Sequence, residues 1–362
     1  MRRRTWLRSL AACAAATGLP VAAQPVREGR VLRFPRDDGA HLESAIEWWY
    51  ATGWSGTFDA PTLGFQLTFF RARVTLGEDA PGGRFAPQQL LFAHAALTDL
   101  RTRRHRHDQR IARWNGQPGA LPSHASEAGL AVRLGRWTLV DDGTQMRASL
   151  PAQGFALDLT LARTQPRLLQ GRDGFSRKGP RPALASHYVT EPQLRAGGTV
   201  TLDDAGTRVP IDGRAWLDHE WSDALLDDAA VGWDWVGINL ADGSALTAFR
   251  LRDAQGRATW AGGSWRPAGG TATDFAPADV TFTPGRRWTS PATRADYPVE
   301  WTLATPAGRF TVRALLDAQE LDSRRSTGAV YWEGLCELLD AGDRRVGLGY
   351  LEMTGYAERL RL

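Results

Sequence analysis

From residue 40 onward, apolar residues alternate with polar or small ones over short runs. Leu63-Gly-Phe-Gln-Leu-Thr-Phe69, Leu130-Ala-Val-Arg-Leu134, Phe155-Ala-Leu-Asp-Leu-Thr-Leu161 and Phe310-Thr-Val-Arg-Ala-Leu315 all repeat with a period of two. That is the mark of strands with one buried face. Turn sequences separate the runs: Asp141-Asp-Gly143, Asp203-Asp-Ala-Gly206, Ala241-Asp-Gly243, Pro306-Ala-Gly308 and Asp340-Ala-Gly-Asp343. The pattern predicts an all-β fold, a sandwich or barrel. It contains no long stretch of helical period.

The two halves of the chain echo each other. Glu47-Trp-Trp-Tyr50 and then Leu63 to Arg71-Ala-Arg73 open the first half. Trp233-Asp-Trp-Val-Gly-Ile-Asn-Leu240 and then Ala245-Leu-Thr-Ala-Phe-Arg-Leu-Arg252 occur in the second. Each couples a Trp-rich strand to an aromatic strand that ends in basic residues. With 362 residues to accommodate, this predicts two antiparallel β-barrels in tandem, over residues 24–190 and 191–362. Arg163–Pro182 reads as a long loop before the junction and carries the only lysine, Lys178.

Charge changes the picture once it is located. Lys and Arg number 44 and Asp and Glu 40, a formal charge of +4. Residues 1–23 have the form of a secretory signal peptide, with Val21 and Ala23 at the −3 and −1 positions. The four arginines in that leader account for the whole excess, so the chain beyond it is neutral and an acidic or nucleic-acid partner is not expected. The expected location is the periplasm, by the Sec or the twin-arginine route. Leu10-Ala-Ala-Cys13 is a competing lipoprotein signal, which would anchor the protein at Cys13. Apolar residues continue past Cys13, which favours soluble export. No later stretch approaches the ~20 apolar residues of a transmembrane helix, and Cys336 is left with no cysteine partner.

The densest polar cluster is Trp216-Leu-Asp-His-Glu-Trp-Ser222, followed by Gly232-Trp-Asp-Trp235. On an extended segment Asp218 and Glu220 share one face with Trp216, and His219 and Trp221 share the other. Carboxyls packed on indoles acquire raised pKa values suited to a general acid, and Asp234 is a further buried acid. The alternative is a polar network that braces the barrel wall. The 15 tryptophans either fill barrel ends and the seam or line a cavity for an apolar ligand. His41, His94, His187 and His219 are placed to converge at the seam. There is no His-Glu-x-x-His and no cysteine pair, so no metal is expected. Nor is there a Gly-x-Ser-x-Gly, a phosphate-cradling loop or a dinucleotide fingerprint, so no cofactor is expected. Arg101–Arg110 reads as an exposed hairpin tip.

Glu47-Trp-Trp-Tyr-x-x-Gly53, Phe69-Phe-Arg71, His94, Gly213 to Ser222, Gly232-Trp-Asp-Trp235, Tyr331-Trp-Glu-Gly334 and Gly349 to Tyr356 resemble the AttH-like family. That family includes carotenoid 1,2-hydratases (hydroxyneurosporene synthases) and exported proteins labelled as secreted hydrolases. The resemblance implies two tandem lipocalin-like (calycin) barrels. It also implies addition of water to an isoprenoid double bond without a redox cofactor. By position, the His-x-Trp of the hydratases matches His219 and Trp221, and their downstream acid matches Asp234; Trp233 stands where the pattern has Tyr. The expected catalytic set is therefore Asp218, His219, Glu220, Trp221 and Asp234. The expected ligand-binding set is Trp48, Trp49, Tyr50, His94, Trp233, Trp235 and Tyr331. The partner is an apolar small molecule, an isoprenoid or lipid, with peripheral membrane contact left open. A non-catalytic carrier and a hydrolase are the competing readings.

Overall fold

The computed structural model describes residues 26–74, 88–114, 122–202, 205–224 and 226–360. The expected signal peptide and Cys13 lie outside them. The described residues contain no α-helix, only 3-10 turns at Arg36–Asp38 and Pro277–Asp279. No helix among them is long and apolar enough to cross a membrane.

The first sheet comprises β1 (Ile46–Gly56), β2 (Pro61–Arg73), β3 (Gln89–Asp99), β4 (Arg104–Trp114), β5 (Ser123–Ala125), β6 (Ala131–Leu134), β7 (Trp137–Asp141), β8 (Met146–Ala152) and β9 (Phe155–Ala162). Two short pieces, β10 (Leu168–Leu169) and β11 (Phe175–Arg177), precede the long hairpin β12 (Ala185–Thr201) and β13 (Arg208–Ala224). The second half supplies β14 (Gly232–Leu240), β15 (Ala245–Arg252), β16 (Ala258–Arg266), β17 (Thr273–Asp274) and β18 (Thr281–Pro284). A separate ribbon, β19 (Arg287–Thr289) with β20 (Asp296–Pro298), follows. β21 (Glu300–Thr305), β22 (Gly308–Ala314), β23 (Glu320–Asp322), β24 (Val330–Leu339) and β25 (Arg345–Met353) complete the second sheet.

All pairings are antiparallel. The first sheet runs β4-β3-β2-β1-β13-β12-β9-β8-β7-β6-β5, and β4 approaches β5 and β6 to close it. The second runs β17-β16-β15-β14-β25-β24-β22-β21-β18, and β16 touches the 3-10 turn that leads into β18. The two orders superimpose: β1 corresponds to β14, β2 to β15, β13 to β25 and β12 to β24. These are the two tandem lipocalin-like barrels. The expected division at 190/191 is corrected, because it falls inside β12. That hairpin's second arm pairs with β1, so the first sheet runs to Ala224 and the second begins at Gly232.

The echo between halves has a physical cause. Glu47 lies directly across from Arg71 in the β1–β2 ladder, and Asp234 lies directly across from Arg250 in β14–β15. Both pairs are ion pairs, at 2.9 and 2.7 Å.

The barrels pack side by side on the faces of β1–β3 with β12–β13 and of β14–β15 with β24–β25. Strands at this seam are buried on both faces, as at every position of β24. Strands away from it, such as β9, alternate buried and open positions. Gly64 marks a point of close approach: a Cβ there would lie 2.8 Å from the Tyr350 hydroxyl of the second barrel.

Candidate functional site

A cavity of about 310 Å³ lies at this seam, outside both barrel interiors. Period-two alternation decides what faces it. In β1, Trp48 and Tyr50 point into the cavity while Glu47 and Trp49 point into the first barrel's core. Phe70 and Phe92 add apolar wall from β2 and β3, and Trp233, Trp235 and Phe249 face them from the second barrel. Tyr50 meets Trp235 edge to face, with ring centroids 5.4 Å apart.

Four carboxyls open onto this apolar space: Asp218, Glu220, Glu333 and Glu352. Asp218 accepts hydrogen bonds from Tyr188 Oη (2.8 Å) and Thr190 Oγ1 (2.6 Å). Tyr188 in turn accepts one from Trp235 Nε1, at 3.0 Å. Burial pushes the Asp218 carboxyl up to about 7, against the pull of those two donors. Glu220 is paired with Lys178 Nζ at 2.9 Å and accepts a hydrogen bond from Ser186 Oγ.

Glu333 and Glu352 are direct neighbours across the β24–β25 ladder. Burial raises both, and the Glu352 carboxylate adds to the cost of ionising Glu333. Glu352 is pushed up to about 7, with Asp218 and Glu220 adding to the effect of burial. Glu333 rises well above the ordinary range, although Tyr50 and Tyr331 beside it favour its charged form. Glu333 Oε1 is buried without a hydrogen-bond partner. Among the described residues no salt bridge reaches either carboxyl of this pair, so nothing offsets the effect of burial on it.

At the cavity's edge His94 Nδ1 lies 2.7 Å from Tyr331 Oη, and Nε2 lies 2.9 Å from Ser326 Oγ. Ser326 donates to Gln109 Oε1 at 2.8 Å. Burial pushes His94 down to about 3, which keeps it neutral.

The structure thus gathers Asp218, Glu220, Trp48, Tyr50, His94, Trp233, Trp235 and Tyr331 at one cavity. It places the other expected residues elsewhere. His219, Trp221 and Trp49 point into the first barrel, since they occupy the opposite strand faces. There His219 Nε2 and His41 Nδ1 share Glu47 Oε1, at 2.9 and 2.8 Å. Arg71 holds Glu47 Oε2 at 2.9 Å, and His41 Nε2 reaches Asp37 at 3.0 Å. With a carboxylate at each ring nitrogen, His41 is raised despite burial. Glu47 lies well below its usual range: burial alone would raise it, but Arg71, His219 and His41 outweigh burial. Trp221 stacks on His41 with centroids 3.7 Å apart.

His41, Glu47 and His219 come within 4.8 Å of one another, close enough to hold a cation. Their facing atoms are instead spent on mutual hydrogen bonds, and Arg71 already supplies the positive charge. The four histidines do not converge at the seam: His41, His187 and His219 are in the first barrel and only His94 is at the cavity. Asp234 lies inside the second barrel, fully buried, held by Arg250 at 2.7 Å, by Tyr356 Oη at 2.8 Å and by Arg252 at 3.6 Å. Arg101–Arg103 form the exposed tip expected, but His105 and His107 of β4 are half-buried, with His105 Nδ1 2.9 Å from Thr98 Oγ1.

Glu333 and Glu352 escaped the sequence reading, and Lys178 was noticed without a role. The available signal was parity: Tyr331 and Glu333, and Tyr350 and Glu352, are two residues apart on paired strands, so the two glutamates share one face.

Fold and site define a tandem β-barrel protein with an acid-bearing apolar cavity between the barrels. Residues 25–356 match the AttH-like family, and the chain belongs to it. It is similar to an AttH protein of known structure from Nitrosomonas europaea, with 42% identity, 92% of this chain and 99% of that chain covered, and a TM-score of 0.83. Kievitone hydratase from Nectria haematococca shares the fold at 16% identity, with 93% and 97% covered and a TM-score of 0.67. CghA does so at 15% identity, 88% and 90% covered, and a TM-score of 0.53. No curated protein matches the chain.

Proposed function

We propose that the protein is an exported, cofactor-free hydratase that adds water to an apolar alkene, such as an isoprenoid, in the seam cavity. The observation that carries this reading is the Glu333–Glu352 pair: two carboxyls that face each other across a ladder, open onto aromatic walls and are both raised by burial. One carboxyl of the pair, Glu333, gives its proton to the less substituted alkene carbon and leaves a tertiary cation. The faces of Trp48, Trp233 and Trp235 hold that cation. Asp218, poised near neutrality, takes a proton from water as the oxygen adds to the cation. Glu333 is then reprotonated from Asp218 through water or Glu352, so one alkene and one water give one alcohol. Two acids with different surroundings divide the roles of acid and base. The name of kievitone hydratase, which shares the fold, is consistent with this chemistry.

The assay is conversion of isoprenoid alkenes by the wild type and by Glu333→Gln, Glu352→Gln and Asp218→Asn. Loss of turnover in folded Glu333→Gln and Asp218→Asn is expected. Full turnover in both would overturn the mechanism, and release of an intact lipid on solvent extraction, with no alcohol formed, would favour a carrier. A hydrolase reading has one arrangement to point to, Ser326 Oγ beside His94 Nε2. Burial leaves His94 too weak a base to activate a serine near neutral pH, so Ser326→Ala is expected to retain turnover.

A further inference from the structure

We propose that Lys178 is a reversible covalent anchor for apolar aldehydes, which enter the seam cavity and are held there as protonated imines. This goes beyond the hydratase reading and does not depend on it.

Of 44 basic residues, 43 are arginine and one is lysine. The two cations are not equivalent. A guanidinium keeps its proton in any protein, whereas an ammonium can release one and become a nucleophile. The single lysine is not on the surface: Lys178 is 5% exposed and lines the cavity. Its main-chain N–H donates to Leu184 O at 2.7 Å, which fixes the loop that carries it. Nζ lies 2.9 Å from Glu220 Oε1 and 3.2 Å from Ser176 Oγ. It also sits 4.3 Å from the centre of the Phe249 ring and 4.8 Å from that of Tyr188. Two of its three N–H bonds are engaged, and the hydration chemistry uses none of them.

The reaction needs nothing that the site lacks. The Lys178 ammonium passes a proton to Glu220, and the freed nitrogen lone pair attacks the aldehyde carbon. A C–N bond forms while the carbonyl π pair moves to oxygen, which takes up the proton that the attacking nitrogen releases, giving a carbinolamine. Glu220, now a carboxylic acid, protonates that hydroxyl, which leaves as water as the C=N bond forms. In sum, one ammonium and one aldehyde give one iminium and one water, without oxidation or reduction. The iminium keeps a single N–H, aimed at the Glu220 carboxylate, and its charge stays where the ammonium's was. The carboxylate and two ring faces that hold the first cation therefore hold the second. The apolar cavity takes the aldehyde's hydrocarbon chain.

The test incubates the full chain with citral, an isoprenoid aldehyde, and sodium cyanoborohydride, then maps adducts by peptide mass spectrometry. A saturable adduct on the peptide containing Lys178 is expected. Lys178→Arg preserves the charge and cannot form an imine, so it is expected to show no internal adduct. Glu220→Gln, folded by thermal melt, is expected to slow labelling on the order of a hundredfold. The proposal is overturned if the N-terminal amine is labelled while Lys178 is not, or if Lys178 reacts only after denaturation. Because the wild type itself carries one lysine, the result does not hinge on any variant folding. Labelling without alkene hydration, or the reverse, separates this proposal from the hydratase reading.

Discussion

Glu47 and Glu333 are both buried glutamates, 0% and 3% exposed, whose carboxyls are shifted in opposite directions. Glu47, inside the first barrel, accepts hydrogen bonds from Arg71, His41 and His219 and is held ionised. Glu333, in the seam cavity, faces another glutamate and two phenols, and burial raises its carboxyl well above the ordinary range. Burial is common to both, so burial alone decides nothing. The groups within reach decide whether a sequestered carboxyl acts as structural brace or as acid. Asp234 with Arg250 and Arg252 repeats the Glu47 arrangement in the second barrel. Each barrel interior thus carries its own neutralised pair, whereas Asp218, Glu333 and Glu352 in the cavity between the barrels have no salt bridge among the described residues.

The largest expected effect comes from breaking the brace. Glu47→Gln leaves Arg71 and His41 without their shared anion, and a loss of about 3–5 kcal/mol is expected in urea unfolding. A loss below about 1 kcal/mol would mean that Glu47 is not a brace. The opposite behaviour is expected of Glu333→Gln: stability unchanged within about 1 kcal/mol, with alkene turnover down by about 10²–10⁴.

The pH dependence sharpens the contrast. Asp37 and Glu47 are lowered in the fold, so their stabilisation is present above about pH 4 and is lost as pH falls through their folded values. His41 is raised, so its share is complete below about pH 6.5 and is lost as pH rises through its folded value. The seam acids are also raised. The native state binds the extra protons, so stability falls as pH rises from about 4 towards about 7. Glu352→Gln removes one such group, and the slope of unfolding free energy in that window is expected to flatten by up to about 1 kcal/mol per pH unit. An unchanged slope would show that Glu352 is ionised throughout.

The smallest effect separates neighbours on one strand. Trp49 is fully buried in the core, and its Nε1 donates to Asp38 O at 2.9 Å. Trp49→Phe is expected to cost about 1–3 kcal/mol. Trp48→Phe, on the cavity side, is expected to cost under about 1 kcal/mol and to act on ligand affinity instead. Equal losses would erase the distinction between the two faces of β1.

How far the sequence discloses this arrangement depends on where a strand lies. β9 has one wet face, so Phe155 to Leu161 shows its alternation openly. β24 is buried on both faces, so Val330 to Leu339 reads as a continuous apolar run with two glutamates in it, and nothing local tells which way Glu333 points. Parity along Trp216–Ser222 correctly parts Asp218 and Glu220 from His219 and Trp221. It does not reveal which face is cavity and which is core, because both are dry. That is why His219, Trp221 and Asp234 looked as eligible as Asp218. Their arginine and histidine partners come from strands far away in sequence. The halves' similarity was legible because the acid–arginine pair recurs in register. The seam was not, because it exists only once two barrels have met.

The most direct measurement is infrared spectroscopy of the folded protein at pH 7, reading the carbonyl stretch of protonated carboxylic acids. A buried acid band that weakens in Glu333→Gln and is unchanged in Glu47→Gln is expected. A wild-type spectrum with no protonated carboxyl at that pH, or a band unmoved by Glu333→Gln, would contradict the assignment of the seam pair as the acid.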